Sequence, residues 1–357
     1  MSGQVISVGN GFVDDQVERR RLTMKRLMND PNQVAAEVVE GLVLAYPHLI
    51  RRVGGYQSVI RSDAPIPGKV AVLTGGGSGH EPMFLGYVGP GMATASIAGN
   101  VFTSPPPNPI YETAKAAHGG AGVLLLYGNY AGDVLNFDTA AEMLADEGIE
   151  VASVQVTDDL ASAPADRIHE RRGVAGDFFV FKIAGACAEE GGTLAIVTAA
   201  ARQANANTRS IGVAFSSCVI PASSKAIFEL GESEIEIGMG IHGERGVYRS
   251  KLLPADELAE ELVNRILDDS GATAGDEVAV LINGFGATPV SQLYIFSRGV
   301  SRLLARANLT ICRTYVGNYA TSLDMAGCSI TLMKLDPELR RFLLAPAETP
   351  AFVQVRK

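Results

Sequence analysis

Short apolar runs alternate with segments of helical spacing through the first half of the chain. Residues 69–73, 93–98, 122–127, 150–156 and 194–198 are continuous, aliphatic-rich stretches of strand length. Runs of that kind read as strands buried on both faces. Between several of them, over 110–117, 139–147 and 178–190, apolar positions recur as on one face of a helix. An amphipathic helix is also expected over 33–45, capped by Asn29-Asp30-Pro31. Alternation of strand and helix predicts β-α-β units and a three-layer, mostly parallel sheet covered on both faces. Sheets of this type bind ligands beyond the carboxyl ends of their strands.

The pattern changes near residue 204. Strands are expected at 210–215, 234–239, 277–282 and 329–335, with long helices over 255–267 and 289–307. This mixture predicts a second unit, a mixed sheet with helices. The chain therefore divides into an appended arm (1–24), a first α/β domain (25–203) and a second (204–357). No internal repeat or low-complexity segment is present.

Composition narrows the class. With 357 residues, 47% apolar and 19% charged, the chain is long enough for two packed domains. A net charge of −9 argues against nucleic acid or an anionic membrane as partner. No apolar stretch approaches the roughly 20 residues of a membrane span, and the arm lacks the apolar centre of a signal peptide. Cys187, Cys218, Cys312 and Cys328 lie in apolar contexts without C-x-x-C spacing. That reads as free core thiols in a reducing cytoplasm, with zinc not expected.

Three segments could carry chemistry. The first is Thr74-Gly75-Gly76-Gly77-Ser78-Gly79-His80-Glu81-Pro82, which follows an apolar strand and is read as a turn. Glycines there let the backbone approach a ligand and offer N–H donors; tight packing would need them equally. The lysine of a P-loop is missing, and His80 stands where a dinucleotide fingerprint needs glycine. What remains is a polar cradle for a small hydroxylated ligand. The second segment is Gly128-Asn129-Tyr130-Ala131-Gly132-Asp133. Asp133 could accept hydrogen bonds from such a ligand, or simply cap the next helix. Asp138 reads as the better cap for a helix starting at Thr139, which frees Asp133 for the site. The third is Gly240-Ile241-His242-Gly243-Glu244. A histidine in so glycine-rich a stretch suits a nucleophile or general base, though a buried structural histidine would also fit. His48, His118 and His169 read as surface or cap residues.

In order, GGGSGHEPM (75–83), GNVFTSP (99–105), NYAGDVLNF (129–137), RRGVAG (171–176), GIHGE (240–244), NGFGATP (283–289) and TSLDMAG (321–327) cover most of the chain. In these motifs the sequence resembles DhaK, the substrate-binding subunit of dihydroxyacetone kinases. The resemblance implies a homodimer of two-domain α/β chains that holds a short ketose in a cleft of the first domain. It implies that His242 forms a hemiaminal with the ketone carbon. His80 would act as general base on the hydroxyl to be phosphorylated, with Asp133 assisting. Gly77, Ser78, Gly79, His80, Asp133 and Phe102 would contact the substrate. No cofactor is expected on this chain. ADP or ATP with Mg2+ would sit on a separate all-helical DhaL-like subunit, recharged by a phosphotransferase-system protein or using ATP directly. One departure stands out, because relatives place a lysine where this chain has Gly128. The lost donor and added space suit a tetrulose or branched ketose as well as dihydroxyacetone. The alternatives are a non-catalytic ketose sensor that controls transcription and, more distantly, a lipid-binding protein of the DegV type.

Overall fold

The computed structural model describes residues 26–355 apart from Ser224. The arm expected over 1–24 lies outside the described residues. Helix α1 (Val34–Ala45) leads into strands β1 (Ile50–Arg52), β2 (Ser58–Arg61), β3 (Ala71–Ser78) and β4 (Ala95–Val101). Helix α2 (Pro107–Ala117), β5 (Val123–Gly128), α3 (Ala131–Asp146) and β6 (Val151–Val156) follow. Helices α4 (Asp177–Glu189) and α5 (Leu194–Ala206) complete the first unit. The sheet runs β1-β2-β4-β3-β5-β6. Its four strands β4, β3, β5 and β6 are parallel, and the β1–β2 hairpin adds antiparallel at the edge.

Alternation along β5 shows the three layers. Val123, Leu125 and Tyr127 pack with Ile110, Phe137 and Leu144 of α2 and α3. Leu124 and Leu126 point the other way, towards α4 and α5. Successive strand side chains face opposite layers, so the run is apolar throughout.

The chain enters the second sheet after Asn207, so the division expected at 203/204 falls in the last turn of α5. This sheet contains β7 (Thr208–Ala214), and a small hairpin, β8 (Val219–Ile220) with β9 (Lys225–Ala226), projects beside it. Strands β10 (Glu234–Ile237) and β11 (Tyr248–Lys251), helix α6 (Ala255–Ser270), β12 (Glu277–Gly284) and α7 (Val290–Arg306) come next. Strands β13 (Thr310–Gly317) and β14 (Gly327–Leu335) and helix α8 (Pro337–Leu344) end the core. The order is β11-β10-β7-β14-β12-β13, with β12–β13 the one parallel pair. The sheet is mixed, as expected. Helices α6 and α7 cover one face.

Its other face shares a core with the first unit. Ala279, Leu281 and Met333 belong to the same apolar cluster as Phe178, Phe181 and Leu124. Helix α4 is the joint, with every residue from Asp177 to Ala188 buried. A helix apolar all round must be covered all round. Phe178 meets Tyr87 at 5.5 Å, Tyr315 at 5.3 Å and Phe352 at 5.1 Å between ring centroids.

Several expectations are corrected. Residues 194–198 are the start of α5, not a strand. The Thr193 hydroxyl caps it by accepting from the Ile196 N–H at 3.4 Å. Buried Leu194, Val197, Thr198, Ala201 and Ala204 show the helical period once the window is extended. Asn29-Asp30-Pro31 does not cap α1. The Asp30 carboxyl closes a turn on the Asn32 N–H at 2.8 Å, and α1 starts later without a side-chain cap. Helix α3 begins at Ala131, eight residues before expectation, which puts Asp138 mid-helix, accepting from the Tyr127 hydroxyl at 3.1 Å. The glycine run is not a turn either: Gly75, Gly76 and Gly77 are the last part of β3. A Cβ at Gly76 would sit 2.4 Å from the Phe84 ring, and one at Gly77 would sit 2.7 Å from the Thr103 amide. The missing side chains admit those neighbours.

Gly185 of α4 lies against the backbone of Met92, which a Cβ would approach to 2.3 Å. Alanine in an open helix gains about 1 kcal/mol over glycine, but here it forces two rigid backbones apart, an overpacking worth about 1–3 kcal/mol. Gly185→Ala is expected to lower the urea midpoint. Gly41→Ala in α1, where a Cβ meets nothing within 4 Å, is expected to raise it.

Candidate active site

The site forms where the carboxyl end of the first sheet meets two loops of the second unit. β3 ends at Ser78, and Gly79 turns the chain with φ +97°. The loop is then fixed from across the molecule. The Leu323 N–H donates to the Gly79 carbonyl at 2.8 Å, and the Thr321 N–H and hydroxyl donate to the His80 and Glu81 carbonyls. His242 lies on the connection between β10 and β11, a tight loop turned at Gly243 with φ +80°.

These loops bring two imidazoles together. His80 Nε2 and His242 Nε2 are 2.9 Å apart. His80 Nδ1 lies 2.7 Å from the Thr321 carbonyl, an acceptor only, so Nδ1 carries hydrogen. His242 Nδ1 lies 2.9 Å from Glu244 Oε1, and the same carboxylate accepts from the His242 backbone N–H at 3.0 Å. Burial opposes ionisation of Glu244, but its hydrogen bond to His242, the His242 charge and Arg172 hold it down at about 2. His242 Nδ1 is therefore also a donor. Two neutral rings so arranged would face each other with bare lone pairs, so the contact holds one further proton. Burial and the neighbouring His242 push His80 down to about 3. His80 is thus the weaker base for any hydrogen shared between the rings.

Aromatic rings frame the pair. Phe102 stacks on His80 with centroids 5.0 Å apart, and Tyr130 meets His242 edge-on at 4.6 Å. Phe102 holds φ +57°, unusual outside glycine. Beneath the rings lies a cavity of about 10 Å3, lined by Gly76, Gly77, His80, Gly128, Tyr130, Asp133, Asp177 and His242 among others. That is room for about one water.

Of the residues singled out from the sequence, His80, His242, Asp133 and Gly77 line this one cavity. Phe102 backs His80. The Ser78 hydroxyl donates to the Gly99 carbonyl at 2.7 Å, and the Gly79 N–H donates to the Glu81 carboxyl. Both stand beside the cavity wall. Asp133 lies in the first turn of α3, and one of its oxygens has no partner. Burial raises its carboxyl to about 6, against the Ser104 hydroxyl and the His242 charge. Glu244, Thr321, Tyr130 and Asp177 were not foreseen. Glu244 sits two residues after His242 in a glycine loop, a spacing that could have found it. Asp177 reads in sequence as an ordinary helix-start acid and carries no signal.

The Dak1 domain family matches residues 40–351. A dihydroxyacetone-binding subunit DhaK of a PTS-dependent dihydroxyacetone kinase from Listeria innocua is 48% identical over 333 residues, 92% of this chain and 99% of that protein. A D-erythrulose kinase from Mycolicibacterium smegmatis is 47% identical over 329 residues, again 92% of this chain but 56% of its own length. Among solved structures, the dihydroxyacetone kinase operon co-activator Dha-DhaQ superposes with a TM-score of 0.83 at 33% identity, covering 89% of this chain and 98% of that one.

Asp133 generates a test of the site's electrostatics. Its folded pKa is raised above the unfolded value, so its contribution favours the folded state below about pH 4 and is lost as pH rises through about 6. Two pKa units correspond to about 3 kcal/mol at most. Asp133→Asn is expected to leave urea stability at pH 4 nearly unchanged and to raise it at pH 8. Equal effects at both pH values would contradict the raised pKa.

Proposed function

The chain belongs to the Dak1 family, and on that premise we propose that it is the ketose-binding, catalytic subunit of a dihydroxyacetone-type kinase. The observation that carries the reading is the His80–His242 pair closing over Asp133, a nucleophile and two proton acceptors around one small cavity.

Capture of a ketone on His242 balances within the site. Attack needs a bare lone pair on His242 Nε2, so the hydrogen between the two rings first moves to His80 Nε2, 2.9 Å away. The freed Nε2 lone pair then forms the bond to the ketone carbon as the C=O electron pair moves to oxygen. That oxygen takes the proton back from His80, giving the carbinol of a hemiaminal. The His242 ring, now bonded at both nitrogens, carries the positive charge, and Glu244 stands against it as counter-charge. Glycerol, which lacks a carbonyl, cannot be held this way. The terminal hydroxyl then needs a proton acceptor. Asp133 at about 6 is close to the operating range for a general base, whereas His80 at about 3 is a weak one in this closed state. Opening of the histidine contact removes the neighbouring cation that depresses His80, and burial then remains the main cause.

We assign the nucleotide and Mg2+ to a separate DhaL-type subunit, which supplies the phosphoryl group; relatives matched over nearly their whole length are named as the dihydroxyacetone-binding subunit of a kinase, which supports this division. A phosphotransferase-system protein is one source of the phosphate. The homodimer and the cytoplasmic setting belong to the same proposal. Among the described residues no helix is long and apolar enough to cross a membrane. A tetrulose or branched ketose joins dihydroxyacetone as candidate substrate, because Gly128 leaves its wall of the cavity without a side chain and a related protein is an erythrulose kinase. The likeness to a co-activator favours one second reading, a ketose sensor that regulates transcription. Retention of Asp133 and His80 beside His242 supports the enzyme.

Two measurements test this. A crystal soaked with dihydroxyacetone should show continuous density from His242 Nε2 to the ketone carbon; a well-resolved ligand free of His242 in every copy would sink the covalent step. The purified chain alone should give no ATP-dependent turnover, and a DhaL-type subunit with nucleotide and Mg2+ should restore it. In that assay His80→Ala and Asp133→Asn should each lose about 10²-fold or more in kcat, with ketose binding retained. Gly128→Lys should shift preference towards dihydroxyacetone. Robust turnover without the partner, or full turnover by His80→Ala, would overturn the split-kinase mechanism.

A further inference from the structure

A second carboxyl group lines the same cavity and has no part in the chemistry above. Asp177 is the first residue of α4 and is wholly buried. Neither of its oxygens has a hydrogen-bond partner. A buried carboxyl left so is costly, on the order of 1–3 kcal/mol for each unsatisfied group, and such groups call for an explanation.

Its neighbour Asp158 shows what a structural acid looks like in this setting. Asp158 is equally buried, but its two oxygens accept from the Val174 and Gly176 N–H groups, each at 2.8 Å. The loop that satisfies Asp158 runs directly into Asp177 and offers Asp177 nothing. Burial, with the charges of Asp158 and Asp133, raises the Asp177 carboxyl well above the usual range. That shift favours the protonated form, which has one O–H to donate and lone pairs to accept. That is the complement of an alcohol, which also donates once and accepts.

The surroundings keep this group accessible from the cavity and nowhere else. A Cβ at Gly173 would lie 3.1 Å from Asp177 Oδ1 and 2.5 Å from the Gly128 Cα, so a side chain there would cover the carboxyl. Gly128 is similarly tight, with the Tyr130 ring at 3.2 Å and the Gly173 carbonyl at 3.3 Å from a Cβ. Two bare backbone positions thus form the wall beside Asp177. The helix that carries it is buried on all sides, so the group cannot swing away.

We propose that Asp177 is a specificity-determining residue, reading the hydroxyl that a tetrulose carries beyond the two of dihydroxyacetone. The inference rests on the ketose-kinase reading above and adds to it. In that reading dihydroxyacetone spends its carbonyl on His242 and one hydroxyl on Asp133 and His80, and its other hydroxyl stays on the carbon next to the captured carbonyl. Erythrulose adds a fourth carbon and a third hydroxyl, and that added hydroxyl is the group left to meet Asp177.

The test uses the chain itself, without a partner subunit. Calorimetric titration with dihydroxyacetone, D-erythrulose and L-erythrulose would compare the natural chain with Asp177→Ala and Asp177→Asn. Asp177→Ala should weaken at least one erythrulose enantiomer by tenfold or more, about 1.4 kcal/mol, while dihydroxyacetone changes less than threefold. Asp177→Asn, a neutral donor and acceptor, should keep that enantiomer within about threefold. Equal losses for all three ketoses, or no loss for either enantiomer, overturns the assignment and leaves the kinase reading standing. Failure of the natural chain to bind any ketose overturns both. A crystal of the natural chain soaked with the better enantiomer serves if Asp177→Ala does not fold. A ligand hydroxyl within hydrogen-bond distance of an Asp177 oxygen is expected, and bound erythrulose with every hydroxyl elsewhere overturns the proposal.

Discussion

The 2.9 Å separation of two ring nitrogens joins loops that belong to different sheets. Such a distance is held only if the sheets themselves do not slide. Helix α4 supplies that rigidity by burying its entire surface between them, and the Thr321–Leu323 segment repeats it locally by hydrogen-bonding the His80 loop. Interiors packed at crystal-like density transmit position rather than absorbing it. Arg171, itself buried, adds a bidentate pair to Asp269 at 2.7 and 2.6 Å, linking the loop before α4 to α6 of the second unit. The geometry of the candidate nucleophile is thus set by packing well away from it.

The same burial fixes the protonation of every group in the cavity. Charge is unfavourable where burial is deep and no partner stands by, and three outcomes appear around the one site. Glu244 stays ionised because it holds the His242 ring. Asp133, with one oxygen unpartnered, is held at an intermediate value. Asp177, with neither oxygen satisfied, is pushed furthest towards the protonated form. Depth and local hydrogen bonding act together, for Glu244 is the least buried and best paired of the three and Asp177 the most buried and least paired.

Much of this was legible in the sequence, and the failures have physical causes. Strand-length apolar runs located β5, β12 and β14 because a strand buried on both faces has no polar alternation to obscure it; β6, at the sheet edge and only partly buried, was located by its recurring valines. The run at 194–198 imitates such a strand. Its helical period emerges only over three turns, through the alanines that follow. Glycines misled in both directions: in β3 they make room for Phe84 and Thr103 rather than a turn, and Gly132 sits inside the first turn of α3 instead of stopping it. His80, His242 and Asp133 were found because each stands beside glycine at a strand end or in a loop. Asp177 was invisible, since what distinguishes it is the absence of partners, and partners come from residues remote in sequence.

The closed histidine contact carries a thermodynamic consequence for whatever enters the site. A cavity of about 10 Å3 cannot take a four-carbon molecule while the rings touch. The binding-competent arrangement is therefore one in which the charge-assisted bond between them is broken, at about 1.5–3 kcal/mol. Observed affinity is the intrinsic affinity multiplied by the population of that open arrangement. Weak apparent binding of a small ligand would then coexist with tight intrinsic capture. Weakening the ring-to-ring bond would raise affinity without adding a single contact to the ligand.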